Sequence, residues 1–290
     1  MDVSVIILNY NNAKDCIQAV GTLRTHTFGV SYEILLVDNC SPDDSVAVLR
    51  EALPDVRLIC GERNGGFAYG NNLGIAQACG DFVLMMNPDI LLNSDALTEV
   101  SQYLRVHGGM AGVRQITGNG QLDWACKRGL PTPWNAFCRF THLDRLFPTW
   151  PKVNGYNLRH LDPEGVFEVD ALSGAFMMIT REALQAVGGF DEEHYFMYGE
   201  DIDLCHCVKQ AGFPVHYLGN IWVRHLRGTT TSKESTRMIV AFHESMRVFY
   251  KKHLWKTYGP VAGGFVLFAI GLRQQMSLLR NAFRKEKRVT

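Results

Sequence analysis

The sequence lacks the cysteine spacing of a disulfide framework or a zinc site. Its eight cysteines contain no C-x-x-C pair and are scattered between Cys16 and Cys207. Most of them fall in predicted helices or strands, where a reduced cysteine behaves as a small buried apolar residue. No basic segment followed by an apolar signal core precedes the first predicted strand. We therefore expect a cytoplasmic protein from a reducing compartment.

An excess of either charge is also absent. The chain has 29 basic and 29 acidic residues among 290. This balance removes the electrostatic argument for a nucleic-acid binder, and we expect no nucleic-acid partner. Hydrophobic residues make up 47% and charged residues 20%, as in an ordinary globular protein. Only the C-terminal end is biased, because residues 273–290 contain six basic side chains against the single acid Glu286.

Long apolar runs are missing as well. Residues 261–272 are apolar all round, but a membrane-spanning helix needs about 20 such residues. The sequence therefore predicts no transmembrane helix. With the basic tail behind it, segment 259–290 is typical of a helix that lies in an anionic membrane interface, here on the cytoplasmic face of the inner membrane. The alternatives are a buried terminal helix or a contact in a homo-oligomer.

The alternation of strands and helices in the first hundred residues is typical of a parallel sheet in a Rossmann-like half. Residues 41–44 (SPDD) are expected to cap the second helix. Residues 117–164, rich in proline and tryptophan, read as loops and short strands that shape a binding site or form an irregular insertion. The predicted strands are 3–8, 33–37, 56–60, 81–86, 167–180 and 222–225, and the predicted helices are 46–53, 67–79, 94–106, 181–187, 201–210 and 232–252.

Polar residues follow three of the predicted strands. In open α/β sheets, ligands bind beyond the carboxyl ends of the strands. Each of these segments alone is typical of a turn, but three of them at one sheet edge favour a ligand site. The residues are Asn9, Tyr10, Asn11, Asp38, Asn87 and Asp89.

A glycine-bearing segment, residues 63–72, follows the third predicted strand and opens a helix. Glycine lets the backbone approach a ligand, and a helix N-terminus favours anions. The segment is neither G-x-G-x-x-G nor a P-loop, which weakens dehydrogenase and ATPase interpretations.

A second candidate cluster holds six carboxylates between residues 191 and 203. Glu200 and Asp201 follow Gly199 and open a helix, where the helix dipole stabilises acidic side chains. Helix capping explains one of these carboxylates but not the aromatic residues between them. His225 ends a predicted strand and is either structural or a metal ligand.

Taken together, these segments resemble the family 2 glycosyltransferases with a GT-A fold, and most closely their bacterial rhamnosyltransferase-like branch. The resemblance runs from about residue 2 to about residue 230, and it also includes His225 and Gly228. The matching segments are residues 3–11, 37–39, 64–68, 87–89, 173–176, 188–191 and 198–205.

The resemblance implies an α/β fold of the GT-A type. A Rossmann-like nucleotide-sugar-binding half, residues 1–113, would join an acceptor and catalytic half, residues 114–230, around a mixed, mainly parallel central sheet. Residues 231–290 would form a C-terminal helical extension with the apolar stretch and the basic tail.

The resemblance also implies a role for each candidate residue. Asp38 would bind a pyrimidine base, Asp201 would be the catalytic base, and Glu200 would orient the acceptor or the base. Asp89 and His225 would bind Mg²⁺ or Mn²⁺. Because Asn87 replaces the first aspartate of the family's D-x-D motif, Asp89 is expected to be the main carboxylate ligand. The expected nucleotide-sugar-binding residues are Asn9, Tyr10, Asn11, Asp38, Asn64, Gly65, Asn72 and Asn87.

The implied activity is inverting, metal-dependent transfer of rhamnose from dTDP-rhamnose to a saccharide or lipid-linked glycan in cell-surface polysaccharide synthesis. A UDP- or GDP-sugar donor with another acceptor is the alternative. A nucleotidyltransferase usually carries a glycine- and lysine-rich loop after the first strand, where this chain has residues 9–12 (NYNN). An inactive sugar-binding scaffold is disfavoured because Asp38, Asp89, Asp201 and His225 are all present.

Overall fold

A computed structural model describes residues 1–226 and 236–283 of the protein. The first part of the chain alternates strands and helices as predicted. These elements are β1 (Val3–Asn9), α1 (Ala13–His26), β2 (Tyr32–Asp38), α2 (Ser45–Ala52), β3 (Arg57–Cys60), α3 (Gly66–Ile75), β4 (Phe82–Met86), β5 (Ile90–Leu91), α4 (Ala96–His107) and β6 (Met110–Thr117). The elements whose bounds were predicted end within a few residues of those bounds, whereas α1, β5 and β6 had no predicted bounds.

The second part is less regular. Its elements are β7 (Lys127–Arg128), α5 (Pro133–Phe140), α6 (Leu143–Leu146), β8 (Val166–Glu168), β9 (Ala171–Leu172), β10 (Phe176–Thr180), α7 (Arg181–Val187), α8 (Glu200–Gln210) and β11 (Val215–His225). The C-terminal elements are α9 (Thr236–Phe249), a π-helical turn (Tyr250–Leu254) and α10 (Trp255–Ala282).

One sheet runs through both parts of the chain. Within the described residues it has nine strands, in the order β3-β2-β1-β4-β10-β6-β11-β5, with β8 paired to β11. Strands β3, β2, β1 and β4 are mutually parallel. β10 is antiparallel to both β4 and β6, whereas β11 runs parallel to β6. The expected mixed sheet is confirmed, and β6 spans the expected boundary between the two halves at residue 113.

Helices cover both faces of this sheet, which explains the continuous apolar runs in its strands. Successive residues of β1 point to opposite faces: Val5 and Ile7 belong to one buried apolar cluster, and Ile6 belongs to the other. The carboxyl ends of β1, β2 and β4 therefore lie along one edge of a rigid core, and the polar residues that follow them are held in fixed positions.

Two local predictions were wrong. Residues 41–44 do not cap α2, which begins at Ser45 after Asp44, and Asp44 makes no capping hydrogen bond. Segment 117–164 was expected to contain only loops and short strands, but it also contains α5 and α6. Thr132 caps α5 by accepting a hydrogen bond from the backbone nitrogen of Asn135, and Pro133 occupies the first turn.

The C-terminal helix also differs from expectation. The continuous helical stretch Thr236–Ala282 is long and apolar enough, by length and composition, to cross a membrane. The expectation of no transmembrane helix rested on the short apolar run 261–272, and α10 extends well beyond that run. Buried core helices pass the same test, but only 11% of the most apolar window is buried here. The stretch is kinked inside α10, at Gly259, whose φ of 73° is not helical.

Candidate active site

The ends of β1 and β2 form a buried polar pocket around Asp38. Its carboxylate accepts hydrogen bonds from Asn9 Nδ2 at 2.6 Å, Ser41 Oγ at 2.7 Å and Ser41 N at 2.9 Å. Asn9 is fully buried and Asp38 is 1% exposed. A carboxylate has about four lone-pair positions, so these three donors leave room for one donor from a ligand. Ser41, expected to cap a helix, instead orients this carboxylate.

Two further pairs of residues lie at this edge: Tyr10 and Asn11 follow β1, and Asn64 and Gly65 precede α3. Tyr10 is exposed, and Asn11 adopts a left-handed φ of 57°. Asn64 and Gly65 are linked to β2 through Asn39, whose Nδ2 donates to Asn64 Oδ1 and whose Oδ1 accepts from Gly65 N. The structure thus brings Asn9, Tyr10, Asn11, Asp38, Asn64 and Gly65 to one edge, as expected.

Asn72 does not belong to that group. Its Nδ2 donates to the Phe190 carbonyl and to Glu192 Oε2, and its Oδ1 accepts from Phe190 N. These bonds use the amide to hold the loop before α8 against α3, so they do not support the expected donor-binding role. Asn87 stays at the edge after β4, where its backbone nitrogen donates to the Ala175 carbonyl.

The close approach of that loop to α3 depends on Gly66. Its φ is +85°, and a Cβ on this residue would lie 1.8 Å from the Phe196 carbonyl oxygen. Phe67 N donates to that same oxygen. A glycine at position 66 therefore lets the acidic segment pack closely against the start of α3.

Asp89 and His225 meet because β5 pairs with the end of β11. His225 lies opposite Ile90, and Leu226 N donates to the Asp89 carbonyl. Asp89 Oδ2 is 3.4 Å from His225 Nε2, and the two side chains are 14% and 6% exposed. A carboxylate oxygen and an imidazole nitrogen this close can bind one divalent cation. The structure thus brings the expected metal ligands together, whereas Gly228 lies outside the described residues.

Asp123 was not predicted as a site residue. After β6 the chain turns back, and Asp123 N donates to the Gln115 carbonyl. The Asp123 carboxylate oxygen Oδ2 then lies 3.3 Å from His225 Nδ1. A carboxylate on one ring nitrogen fixes the tautomer that leaves the other nitrogen free to bind a metal. Asp123 therefore positions His225 toward Asp89.

Asp201 lies at the N-terminus of α8, as expected for a functional carboxylate. Its Oδ2 accepts hydrogen bonds from the Arg128 guanidinium and, at 3.2 Å, from Gly174 N. The next residue, Ala175, accepts the bond from Asn87 N through its carbonyl. This short backbone path holds the Asp201 carboxylate beside the strand end that carries Asp89.

Arg128 is a third site residue that the sequence did not predict, after Ser41 and Asp123. It ends β7, which pairs with β9, and its guanidinium contacts both the Leu172 carbonyl and Asp201. Its side chain is only 12% exposed. Arg128 therefore fixes the position of the Asp201 carboxylate from the side of β7.

Glu200 is buried directly beside Asp201. Burial raises the pKa of Glu200 to about 8, and the neighbouring Asp201 charge adds to this effect. Its Oε2 has no hydrogen-bond partner among the described residues. At neutral pH, Glu200 is therefore mostly neutral.

A third carboxylate of the acidic segment, Asp203, ties α8 to the C-terminal helices. It accepts hydrogen bonds from Tyr195, Lys252 Nζ at 2.9 Å and His253 Nε2 at 2.6 Å. Burial alone would raise the pKa of Asp203, but the bonds from His253 and Lys252 outweigh burial and lower the pKa. Asp203, Cys207 and His253 are close enough to hold a metal ion. Lys252 already donates to this carboxylate, which favours an ion-pair network.

The fold defined by this sheet and edge is that of nucleotide-sugar glycosyltransferases of the GT-A type. A crystal structure of GalNAc-T7 with UDP, GalNAc and Mn²⁺ superimposes with a TM-score of 0.59 at 17% sequence identity. The alignment covers 88% of this chain and 50% of that one.

The family is defined by sequence. The model of glycosyl transferase family 2 matches residues 4–188, and the chain belongs to this family. It is 29% identical over 234 residues to an N-acetylglucosaminyl-diphospho-decaprenol L-rhamnosyltransferase of Mycobacterium tuberculosis, covering 74% of this chain and 73% of that protein. The rhamnosyltransferase WbbL of Escherichia coli K12 is 27% identical over 53% of this chain and 58% of its own length. The protein is a rhamnosyltransferase-like glycosyltransferase.

Proposed function

We propose that the protein transfers rhamnose from dTDP-rhamnose, with inversion, to a hydroxyl of a lipid-linked saccharide, and that this reaction requires a divalent metal ion. The carrying observation is that the Asp38 pocket and the Asp89–His225 pair lie at strand ends of one sheet, with the Asp201 carboxylate held beside the strand end that carries Asp89. These groups match the three needs of the reaction, namely a base-binding pocket, a charge-neutralising site and a proton acceptor.

The Asp38 pocket supports a pyrimidine nucleotide. Asn9 and Ser41 fix the carboxylate, so its remaining lone pair can accept the ring N–H of thymine or uracil. The exposed ring of Tyr10 and the Asn64–Gly65 backbone border the same edge and would line the base and the ribose. The uracil of a UDP-sugar offers the same ring N–H to Asp38. The base of a GDP-sugar is a purine and would have to bind in this pocket differently.

Asp89 and His225 would hold the metal, and their donor set fits Mn²⁺ better than Mg²⁺, which strongly prefers oxygen ligands. The bound cation would neutralise the charge that develops on the leaving nucleoside diphosphate. Asn87, at the same strand end, is a neutral group, so we expect the diphosphate oxygens to complete the coordination.

Asp201 would act as the general base. One of its carboxylate oxygens takes the proton from the acceptor hydroxyl while the hydroxyl oxygen bonds to the anomeric carbon. The bond between that carbon and the diphosphate breaks in the same displacement. No second ionised carboxylate is needed as a nucleophile, so a single displacement inverts the anomeric centre. Glu200, neutral beside Asp201, would donate a hydrogen bond to the acceptor.

The acceptor is proposed from the relatives and from the protein surface. The mycobacterial relative is named for a saccharide on a decaprenyl diphosphate, and a similar lipid-linked acceptor in cell-surface polysaccharide synthesis suits an enzyme at the cytoplasmic face of a membrane. The outer side of α10 carries a stripe of exposed apolar side chains at a spacing of three or four residues. These are Val261, Phe265, Phe268, Leu272, Leu279 and Phe283.

The other side of α10 packs on α9, where Gln274 accepts a hydrogen bond from Arg247. A helix with one packed side and one exposed apolar side suits the interface of a bilayer, and Arg280 suits anionic headgroups. We therefore propose membrane contact through segment 259–290. A homo-oligomer contact would use the same stripe.

Release of nucleoside diphosphate tests the proposed function. The purified chain is incubated with dTDP-rhamnose, Mn²⁺ and a lipid-diphosphate saccharide, in parallel with UDP- and GDP-sugars. We expect dTDP release that depends on both acceptor and metal and is absent in Asp201→Asn. Donor binding is measured separately as thermal stabilisation, since a ligand that binds only the folded state raises the melting temperature. No stabilisation by any pyrimidine nucleotide sugar would contradict the proposal.

A further inference from the structure

A cavity of about 690 Å³ opens beside the candidate active site and is formed by the irregular segment after β6. Its lining extends from Asp123, which contacts His225, to Arg128, which contacts Asp201. Neither Asp38 nor Asn9 lines it. The cavity is therefore separate from the Asp38 pocket and adjoins residues that contact His225 and Asp201, as a space for an acceptor would.

Three arginines line this cavity, namely Arg128, Arg139 and Arg159, and Asp123 is the only carboxylate that the described residues contribute to the lining. Because Asp123 faces His225, it does not neutralise the arginines at the far end. Arg159 stacks on the Trp124 ring, with its guanidinium carbon 5.0 Å from the ring centre. The Nε–H groups of Arg128 and Arg159 are buried and have no hydrogen-bond partner within the described parts of the chain.

The positive charge extends to the C-terminal helix. Burial lowers the pKa of Arg273 in α10, and the nearby charge of Arg139 lowers the pKa further. Arg139 itself has one weak ion pair, in which its Nη1 lies 3.3 Å from Asp144 Oδ2. Guanidinium groups that gather in a partly buried space favour a multivalent anion, and phosphate oxygens match their planar donors.

Apolar side chains continue outward from this basic cavity. Arg139 belongs to α5, and the exposed aromatic rings of Trp134, Phe137 and Phe140 are on the same helix. Phe147 and Trp150 follow in and after α6 and are also about half exposed. A ligand with an anionic group in the cavity could thus lay an attached apolar chain over α5.

We propose that Arg139 and Arg159 bind the diphosphate that joins the acceptor saccharide to its isoprenoid lipid. This inference rests on the proposed function and adds a second diphosphate site, separate from that of the donor. The saccharide would extend from the arginines toward Asp201, with the lipid leaving over the aromatic residues of α5. Arg128 adds positive charge at the end of the cavity next to Asp201, to which it also donates a hydrogen bond.

Binding of a short isoprenyl diphosphate tests the site without any turnover. Calorimetric titration of the full chain with farnesyl diphosphate, farnesyl monophosphate, farnesol, inorganic pyrophosphate and dTDP separates the lipid, phosphate and nucleotide contributions. Hydrogen bonds to charged groups contribute about 1.5–3 kcal/mol each, so we expect Arg159→Gln to weaken farnesyl diphosphate binding at least about tenfold. Arg139→Gln should act similarly, and Arg159→Lys should retain part of the affinity.

The matched control is Arg145→Gln, which removes an exposed arginine from α6 that does not line the cavity. Farnesyl diphosphate binding should be unchanged in this variant, and dTDP binding should be unchanged in all of them, which also verifies folding. Equal binding of farnesyl diphosphate by wild type and Arg159→Gln would overturn the inference. So would parallel losses for farnesyl diphosphate and dTDP, which would place the arginines in the donor site.

Kinetics supply the second readout. The same saccharide is offered on a lipid diphosphate and on a neutral alkyl chain. Arg159→Gln should raise KM for the diphosphate acceptor about tenfold or more and leave KM for the neutral acceptor and the donor unchanged. Equal changes for both acceptors would contradict the inference. If no donor supports transfer but Arg159-dependent farnesyl diphosphate binding persists, the proposed function fails and the anion site stands.

Discussion

At the scale of single residues, the two adjacent carboxyls at the start of α8 have different chemistry although they look equivalent in sequence. Arg128 donates to Asp201, whereas Glu200 is buried and has a raised pKa. Different surroundings of two neighbouring carboxyls are a common way to give them different roles. The difference comes from a guanidinium more than seventy positions earlier in the chain.

This difference predicts unequal effects of two isosteric substitutions. Asp201→Asn removes the proton acceptor and should lower kcat roughly a hundredfold to ten-thousandfold while donor binding persists. Glu200→Gln mimics a glutamate that is already mostly neutral at pH 7 and should keep most of the activity. Both are measured by nucleotide release at saturating donor. The reverse order of the two effects would make Glu200 the base.

Asp123 gives a second prediction at this scale. Replacing it with asparagine keeps the shape but removes the charge that orients His225. Outer-shell changes of this kind cost about 10- to 100-fold in metal affinity, so Asp123→Asn should raise the Mn²⁺ concentration needed for half-maximal activity by that factor. The maximal rate at saturating Mn²⁺ should change little. An unchanged Mn²⁺ requirement would show that Asp123 does not act through the metal site.

At the scale of elements, the C-terminal helices are attached to the catalytic part by the buried Asp203 network. Lys252 and His253, both in the π-helical turn, donate to a carboxylate in α8, two residues after the proposed base. The position of α10 is therefore coupled to the position of α8. The proposed membrane contact through α10 would thereby be linked to the position of the proposed base.

The exposed stripe of α10 predicts membrane affinity that can be removed without unfolding. Phe265 and Phe268 are 73% and 71% exposed, so changing both to serine should leave the melting temperature nearly unchanged. Burying each ring is worth about 1.5–3 kcal/mol, and the double variant should bind anionic vesicles at least about tenfold more weakly in a sedimentation assay. Phe28→Ser, at a phenylalanine that is 78% exposed on the first half, should bind them normally. Equal vesicle binding by the double variant and wild type would exclude the stripe as the contact.

At the scale of the whole molecule, the buried Glu200 links stability to pH. Its ordinary pKa of 4.5 rises to about 8 in the folded protein. Between these values the folded state keeps a proton that the unfolded state has lost, so the Glu200 contribution makes stability fall as pH rises through this window. Glu200→Gln should therefore be more stable than wild type at pH 8 and nearly equal to it below pH 4.5. Thermal melts across this range check the prediction, and an unchanged wild-type slope in the variant would contradict it.

Much of the central sheet can be predicted from local sequence patterns. Continuous apolar runs fix β1, β2 and β4 because strands covered on both faces must be apolar on both sides. The polar residues at their ends then share one edge, so sequence alone predicts that Asn9, Asp38 and Asp89 lie along it. The end of β11 carried a similar signal in His225. The two short helices in segment 117–164 escaped prediction because their apolar faces are small and partly exposed.

Only the tertiary structure decided which side chains support these residues. Ser41, Asp123 and Arg128 occur where turns and short strands also place such residues, and nothing in their local spacing predicts their partners. Asp123 reaches His225 through the reversal after β6, and Arg128 reaches Asp201 through the pairing of β7 with β9. Sequence determines which residues lie at the ends of strands because periodicity is local. The ionisation and orientation of those residues depend on contacts between distant segments, which only the packed molecule provides.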